Sequence, residues 1–291
     1  MSTVDVTVRS PGLRRRRIVQ SVFAVAAILS TVTAVAMLGI VLGSVIAKGA
    51  SSLSVDFFTQ PRGLFGEPGG IADAIIGSCL IVAIATLIAV PIGVLVAIYV
   101  SEFASKSIGT FVRVVLDVMN GIPAIVVGIF VFGVVVAGRG QSALAGSFAL
   151  SILMVPMVAR ATQEVLEIVP RSLREASLAL GVTRWRTTLS IVLPTAIGGI
   201  LTGVVIAVAR VAGETAPLLF TSSIAANAIS TDVTHALPTL PVAIFAFSES
   251  ADPAEQAMGW AAALVLILFV LVLNIVAKLV ASGQQRKSEG A

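Results

Sequence analysis

Residues 71–100 read IADAIIGSCLIVAIATLIAVPIGVLVAIYV, thirty positions that carry a single charge, Asp73. A helix needs about 20 apolar residues to cross a hydrocarbon core, so this stretch is long enough to span one. Comparable runs recur on both sides of it, at 18–47, 111–136, 143–161, 195–220 and 257–280. Over all 291 residues 57% are hydrophobic and only 12% charged, with a mean hydropathy of +1.05; a soluble domain carries about 25% charged residues. Backbone groups in lipid must bond within their own segment, and the alternating pattern of barrel strands is absent, so the six stretches are expected to be helices. The fold class that follows is an all-α integral membrane protein with six transmembrane helices over 18–281, between a basic tail at 1–17 and a second tail at 282–291. The first apolar run follows four arginines at 14–17 and is about twice the 7–15 residues of a signal-peptide core, which reads as an uncleaved anchor.

The same composition closes several routes to chemistry. With one cysteine, Cys79, and one histidine, His235, there is no intramolecular disulfide, no cysteine metal cluster and no H-E-x-x-H zinc pair. The net charge of +4 is explained by where the basic residues lie. Of 19 lysines and arginines, fourteen fall in segments 1–17, 101–113, 162–194 and 278–291, and three in 48–70, 137–142 and 221–256; Arg160 and Arg210 lie in or at the edge of spans. The positive-inside bias therefore places both termini in the cytoplasm and makes a nucleic-acid surface unnecessary. Pro91, Gly121 with Pro123, Pro156 and Pro217 interrupt the apolar runs. They fit either kinks around an internal path or ordinary packing of membrane helices. No internal repeat is visible.

The inner segment 162–194 contains VPRSLREASLALGVTRWRTTLSIVL at 169–193. Pro170 is expected to close one helix, and Ser172 with Glu175 has the spacing of a capping box for the next. Leu173, Ala176 and Leu180 then share one face of a helix of about eight residues, roughly 12 Å long. Gly181 stands where a left-handed C-terminal turn belongs, and a second helical piece over 184–189 returns to the membrane. The segment reads as a short amphipathic helix on the cytoplasmic surface, held at both ends by membrane helices.

Residues 209–218, ARVAGETAPL, place two charges inside the fifth span. Arg210 and Glu214 are four apart, hence on one face of a continuous helix, and Arg210 lies about 22 Å along the helix from Thr195. A charge at that depth costs at least ~2.5–3.5 kcal/mol and needs a partner or a water-filled path. One reading is a self-satisfied ion pair that holds the bundle together. The other makes Arg210 a contact for a tetrahedral oxyanion, which its planar fork fits, with Glu214 giving it up as the anion arrives.

Glu175, Ala176, Ser177, Gly181, Ile191, Leu193 and Pro194 together resemble the EAA loop of ATP-binding-cassette importer permeases, with Ser177 in place of the usual alanine. In that family the loop, here about 164–194, inserts into a groove on a cytoplasmic ATPase. The chain has no G-x-x-x-x-G-K-[ST] of its own, so nucleotide belongs on a separate subunit. The run ARVAGETAPLLFT at 209–221, Gly69-Gly70-Ile71 with Ala74-Ile75, and GIPAIV at 121–126 are similar to the PstA-type permeases of bacterial phosphate importers, over most of 18–281. Ala124 stands where serine is common, so that loop is given no ligand role.

This resemblance implies a type I importer permease (MetI-like) architecture in the cell inner membrane, with no covalent chemistry. It implies no cofactor on this chain, with ATP and Mg on the partner ATPase. The implied partners are a homologous PstC-type permease, two PstB-type ATP-binding subunits, an extracytoplasmic PstS-type phosphate-binding protein, phosphate and membrane lipid, with no nucleic acid. It assigns Arg210 and Arg160 to phosphate movement, with Glu214 beside them. Two rival readings keep part of the pattern: another oxyanion such as molybdate or sulfate, or an ion-coupled secondary transporter acting alone. Asp117 and Asn120 read as interfacial caps and His235 as a surface residue. The acidic outer segment 221–256 (Asp232, Glu249, Asp252, Glu255) reads as a dock for a basic partner or a solvated face, and the arginines at 14–17 as contacts for anionic lipid.

Overall fold

The computed structural model describes residues 11–63, 69–223 and 228–289, and among them every regular element is helical. Two compact units divide the chain, Met1–Lys48 and Gly49–Ala291. The described part of the first is a helix, α1 (Pro11–Gly49), whose 39 residues would extend roughly 58 Å at 1.5 Å each. Residues 1–10 of the expected basic tail lie outside the described residues; 11–17 are already helical, with proline at the first position, where its missing N–H is harmless. Ser30, Thr31, Thr33 and Ser44 donate to the carbonyls four residues back at 2.8–2.9 Å. These four hydroxyls are thereby satisfied inside their own helix.

The second unit continues with a short helix α2 (Val55–Thr59) and then α3 (Ala72–Ile98), which runs into a π-helical turn at Tyr99–Phe103. Next come α4 (Lys106–Gly121), α5 (Ala124–Val131) with a π turn at Phe132–Val136, and α6 (Ala143–Ile168). The inner loop holds α7 (Arg171–Ala179) and α8 (Arg184–Thr187), and a π turn Thr188–Val192 leads into α9 (Leu193–Val211). The chain closes with α10 (Ala216–Thr221), α11 (Leu240–Ser248) and α12 (Pro253–Glu289). Residues 290–291 of the expected tail lie outside the described residues, and 282–289 extend α12.

Among the described residues five helices are long and apolar enough to cross a membrane, or six if α4 and α5, bent by 93° at their junction, form one span. The third expected span, 111–136, is therefore not one straight helix. Pro123 has no N–H to continue the ladder and disfavours a helical residue before it; Ile122 accordingly sits at φ −70°, ψ 126°. Pro91 and Pro156 leave α3 and α6 unbroken. The fourth span also runs seven residues further than expected, to Ile168.

The most extensive contact in the unit is α3 against α6, and α6 also touches α4, α5, α9 and α10, which makes it the axis of the bundle. Small residues allow this. A Cβ on Gly93 would sit 2.9 Å from the Val158 side chain, and Ala85, Ala89 and Ala97 continue the same stripe, fully buried. Gly199 and Gly203 of α9, four apart, approach Val165 and Ala161 of α6 so closely that an added Cβ would lie 2.6 Å from each. Without a hydrophobic difference between lipid and leucine, such close approach is what holds membrane helices together. Replacing Gly203 by leucine should destabilise the unit by about 3 kcal/mol through overpacking. Gly133→Leu, where an added Cβ meets nothing within 4 Å, should change stability by no more than about 0.5 kcal/mol; thermal unfolding in detergent reads both.

Candidate functional site

The loop that joins α6 to α9 is built by local rules. Helix α6 ends at Ile168 and Pro170 caps α7 at φ −57°, ψ 135°. The capping box expected from Ser172 and Glu175 does not form. Proline at the cap makes Arg171 the first helical residue, so Ser172 already lies inside the first turn and cannot cap it. At the other end Gly181 adopts φ +77°. Val182 N donates to Ser177 O at 3.2 Å and Gly181 N to Leu178 O at 3.0 Å, the paired bonds that end a helix on a left-handed glycine.

The face that α7 turns inward is polar. Ser177 is buried and its Oγ lies 2.9 Å from Thr187 Oγ1 of α8. Leu173, Ala176, Leu178 and Leu180 are exposed, Leu180 at 84%, with Trp185 beside them in sequence also exposed. Glu175 is exposed too, and lines a cleft of about 740 Å³ together with Glu102, Arg113, Glu167, Arg171, Arg174 and Arg184. Ile191, Leu193 and Pro194 form the entry to α9, partly buried except for Pro194.

Arg174 is the residue of this loop that sequence reading passed over. Its Nε and Nη2 donate to the Glu102 carboxylate at 2.7–3.2 Å, Nη2 also to Leu166 O at 2.9 Å, and Nη1 to Val169 O at 2.7 Å. Glu102 is 72 positions away in the π turn that ends α3, so nothing in the local pattern announces the pair.

In the fifth span α9 stops at Val211, and Ala212–Thr215 forms a tight turn before α10. Continuing the helix would require an N–H on Pro217 for the Gly213 carbonyl, which proline lacks and whose ring would collide there. Instead Gly213 N donates to Arg210 O and Glu214 N to Val211 O, at 3.2 and 3.0 Å. The expected same-face pairing of Arg210 with Glu214 is therefore not made. Arg210 is exposed on the last turn of α9, Glu214 is half-buried in the turn, and among the described residues neither has an ion-pair partner within 4 Å.

Arg160 has found one. Its Nε donates to Asp117 Oδ1 at 2.9 Å and its Nη2 reaches the same oxygen. Asp117 belongs to the last turns of α4, so it is a cross-helix partner rather than the interfacial cap expected. Because Gly203 faces Ala161, Arg160 lies near the level of Gly203, and Arg210 lies about 10 Å further along α9 by helical rise. The two residues start from different levels of the bundle rather than from one.

The acids of the outer segment are largely used within the chain, where 224–227 lie outside the described residues. Glu255 pairs with Arg62 at 3.2 Å, and that guanidinium also sits 4.7 Å over the Phe247 ring. Asp252 Oδ1 accepts from Ala254 N at 2.8 Å at the start of α12. Asp232 accepts from Thr234 Oγ1 and N, and its Oδ2 lies 2.9 Å from His235 Nδ1. Those bonds, the Thr234 hydroxyl foremost, hold its carboxyl below the usual range. His235 is on the surface, as expected.

Known proteins resemble this chain in sequence and in fold. The family model for the inner membrane component of binding-protein-dependent transport systems matches residues 89–286. The chain is 43% identical over 245 residues to the phosphate transport system permease protein PstA of Yersinia pestis, covering 82% of each. It is 37% identical over 284 residues to phosphate transport system permease protein PstA 1 of Mycobacterium tuberculosis H37Rv, covering 95% of this chain and 92% of that one. In three dimensions it resembles a bacterial ABC transporter that imports alginate (TM-score 0.63, 14% identity, 92% of this chain and 98% of that one). It also resembles the inward-facing MetNI methionine ABC transporter (TM-score 0.57, 18% identity, 74% and 94%). The chain is a multi-pass transport component of the inner membrane, not an enzyme, and belongs to the PstA-type permease subunits within the binding-protein-dependent ABC importer family.

Proposed function

We propose that this chain forms one of two transmembrane subunits of an ATP-driven importer that carries inorganic phosphate into the cytoplasm. The observation that carries this reading is Arg210: a permanent positive charge deep in the fifth span with no carboxylate partner among the described residues. A charge at that depth is several kcal/mol unfavourable unless something compensates it. A doubly charged tetrahedral anion does so, because two of its oxygens match the planar fork of a guanidinium. Arg160 forms a second station about 10 Å nearer the cytoplasm, where an arriving anion takes the place of Asp117. Glu214, in the turn beside Arg210, adds a negative charge that shortens the anion's stay there.

Helix α7 is the part the motor moves. Its exposed Leu173, Ala176, Leu178 and Leu180 fit a groove on a cytoplasmic ATPase, and the left-handed turn at Gly181 sets the direction in which the chain leaves that groove. ATP and Mg²⁺ act on two such ATPase subunits. The partner permease supplies the other wall of the path, and an extracytoplasmic binding protein delivers phosphate to the outer face. Both termini and α7 lie in the cytoplasm, since that orientation puts the excess lysine and arginine inside.

Arg210→Gln should lower phosphate uptake by about tenfold or more, the weight of one charge-assisted contact, while the ATPase still co-purifies. Loss of co-purification instead would make Arg210 a structural residue. Glu175→Lys or Gly181→Pro should abolish uptake with the chain still inserted; near-normal uptake in either removes the lever. Uptake should resist competition by excess sulfate or molybdate. A tag fused to the C-terminus should be labelled in inverted vesicles and protected in intact cells; the reverse pattern overturns the orientation.

A further inference from the structure

Arg174 joins three elements through one side chain: α7, on which it sits; the turn ending α3, through Glu102; and the end of α6, through the Leu166 and Val169 carbonyls. The pair is shielded, with 21% and 10% of the two side chains exposed, so its electrostatics is screened less than that of a surface pair. The guanidinium also satisfies two carbonyls at a helix end that have no partner within α6. On the opposite side α7 is held to α8 by one neutral side-chain bond, Ser177 to Thr187. Beyond Thr187 the backbone passes through the π turn Thr188–Val192 before α9 begins.

We propose that Arg174 is the linkage that converts displacement of α7 into displacement of α3 and α6; this rests on the reading of α7 as the ATPase-facing lever. Arg174 is a positioning residue, touching neither cargo nor nucleotide. Its bonds to α3 and α6 are several, charged and divergent in direction, so pushing α7 in any direction strains at least one of them. Helices α3 and α6 are themselves locked by the Gly93–Val158 contact and the alanine stripe around it, and they move as one body. Helix α9 is in turn packed on α6 through Gly199 and Gly203, so it receives the push through α6 as well as through the Ser177–Thr187 bond. The outcome is that a push on α7 reaches Arg160 through α6 and Arg210 through the α6–α9 contact. Lysine cannot replace this residue, because a point charge on a flexible stem cannot hold a carboxylate and two carbonyls in fixed directions at once.

The test uses the assembled transporter in vesicles, with the partner permease, both ATPases, the binding protein outside and ATP inside. Phosphate imported and ATP hydrolysed are measured on the same sample, and the readout is their ratio. Arg174→Ala should lower phosphate moved per ATP by about tenfold, the weight of one charge-assisted contact. Arg174→Lys should fall most of the way with it, and Glu102→Gln part of the way. A purely structural role predicts less assembled complex with an unchanged ratio in what does assemble, and that result overturns the linkage. If Arg174→Ala does not assemble, the Lys and Gln variants decide by the same ratio. Wild-type uptake in these vesicles tests the functional reading separately, so an unchanged ratio in the variants counts against Arg174 alone.

Discussion

A backbone that crosses hydrocarbon has to bond its own amides and carbonyls, so every place where this chain leaves regular helix needs a local solution. At Ile122–Pro123 the chain turns and restarts with Val126 N on Pro123 O at 2.9 Å. Past Val211 two turn bonds replace the helical ladder. The π turns after α3 and α5 close with Ala104 N on Tyr99 O and Ala137 N on Phe132 O, both at 2.8 Å. These solved breaks are where the charged residues gather: Asp117 just before one, Arg210 and Glu214 at another, Glu102 within a third. Irregular backbone is tolerated at membrane depth only where protein or water meets it, which is why breaks and function coincide.

The charges then divide by what they face. Arg174 and Glu102 are shielded and richly bonded, and they tie elements together. Arg160 and Asp117 are paired across α4 and α6 but partly exposed. Arg113 and Glu167, at 3.5 Å and open to solvent, contribute at most about 1 kcal/mol. Arg210 differs from all of them because the helix end carries it past the reach of Glu214.

Much of this could be read residue by residue. Pro170, Gly181 and the run between them marked a surface helix that the structure places at Arg171–Ala179, within two residues of the expectation. Arg210 and Arg160 were identifiable as costly charges in apolar runs. The errors share one cause. A spacing of four places Arg210 beside Glu214 only if the helix continues, and Pro217 was the written sign that it does not. The same holds for Pro123 in the third span. On α7 the leucines share a face as their spacing implies, and the structure leaves that face out and turns Ser177 inward.

By itself the sequence determined the class of the molecule, the orientation its basic residues favour, the position of the short helix between α6 and α9 and the two arginines set in apolar runs, because these rest on composition and on spacings of a few residues. Tertiary structure alone decided that Arg174 meets Glu102 across 72 positions and Arg160 meets Asp117 across 43. It also decided that Gly199 and Gly203 set how closely α9 approaches α6. Those partnerships depend on which helices pack and at what depth. The packing is settled by small residues meeting across the bundle, and local periodicity carries no record of it.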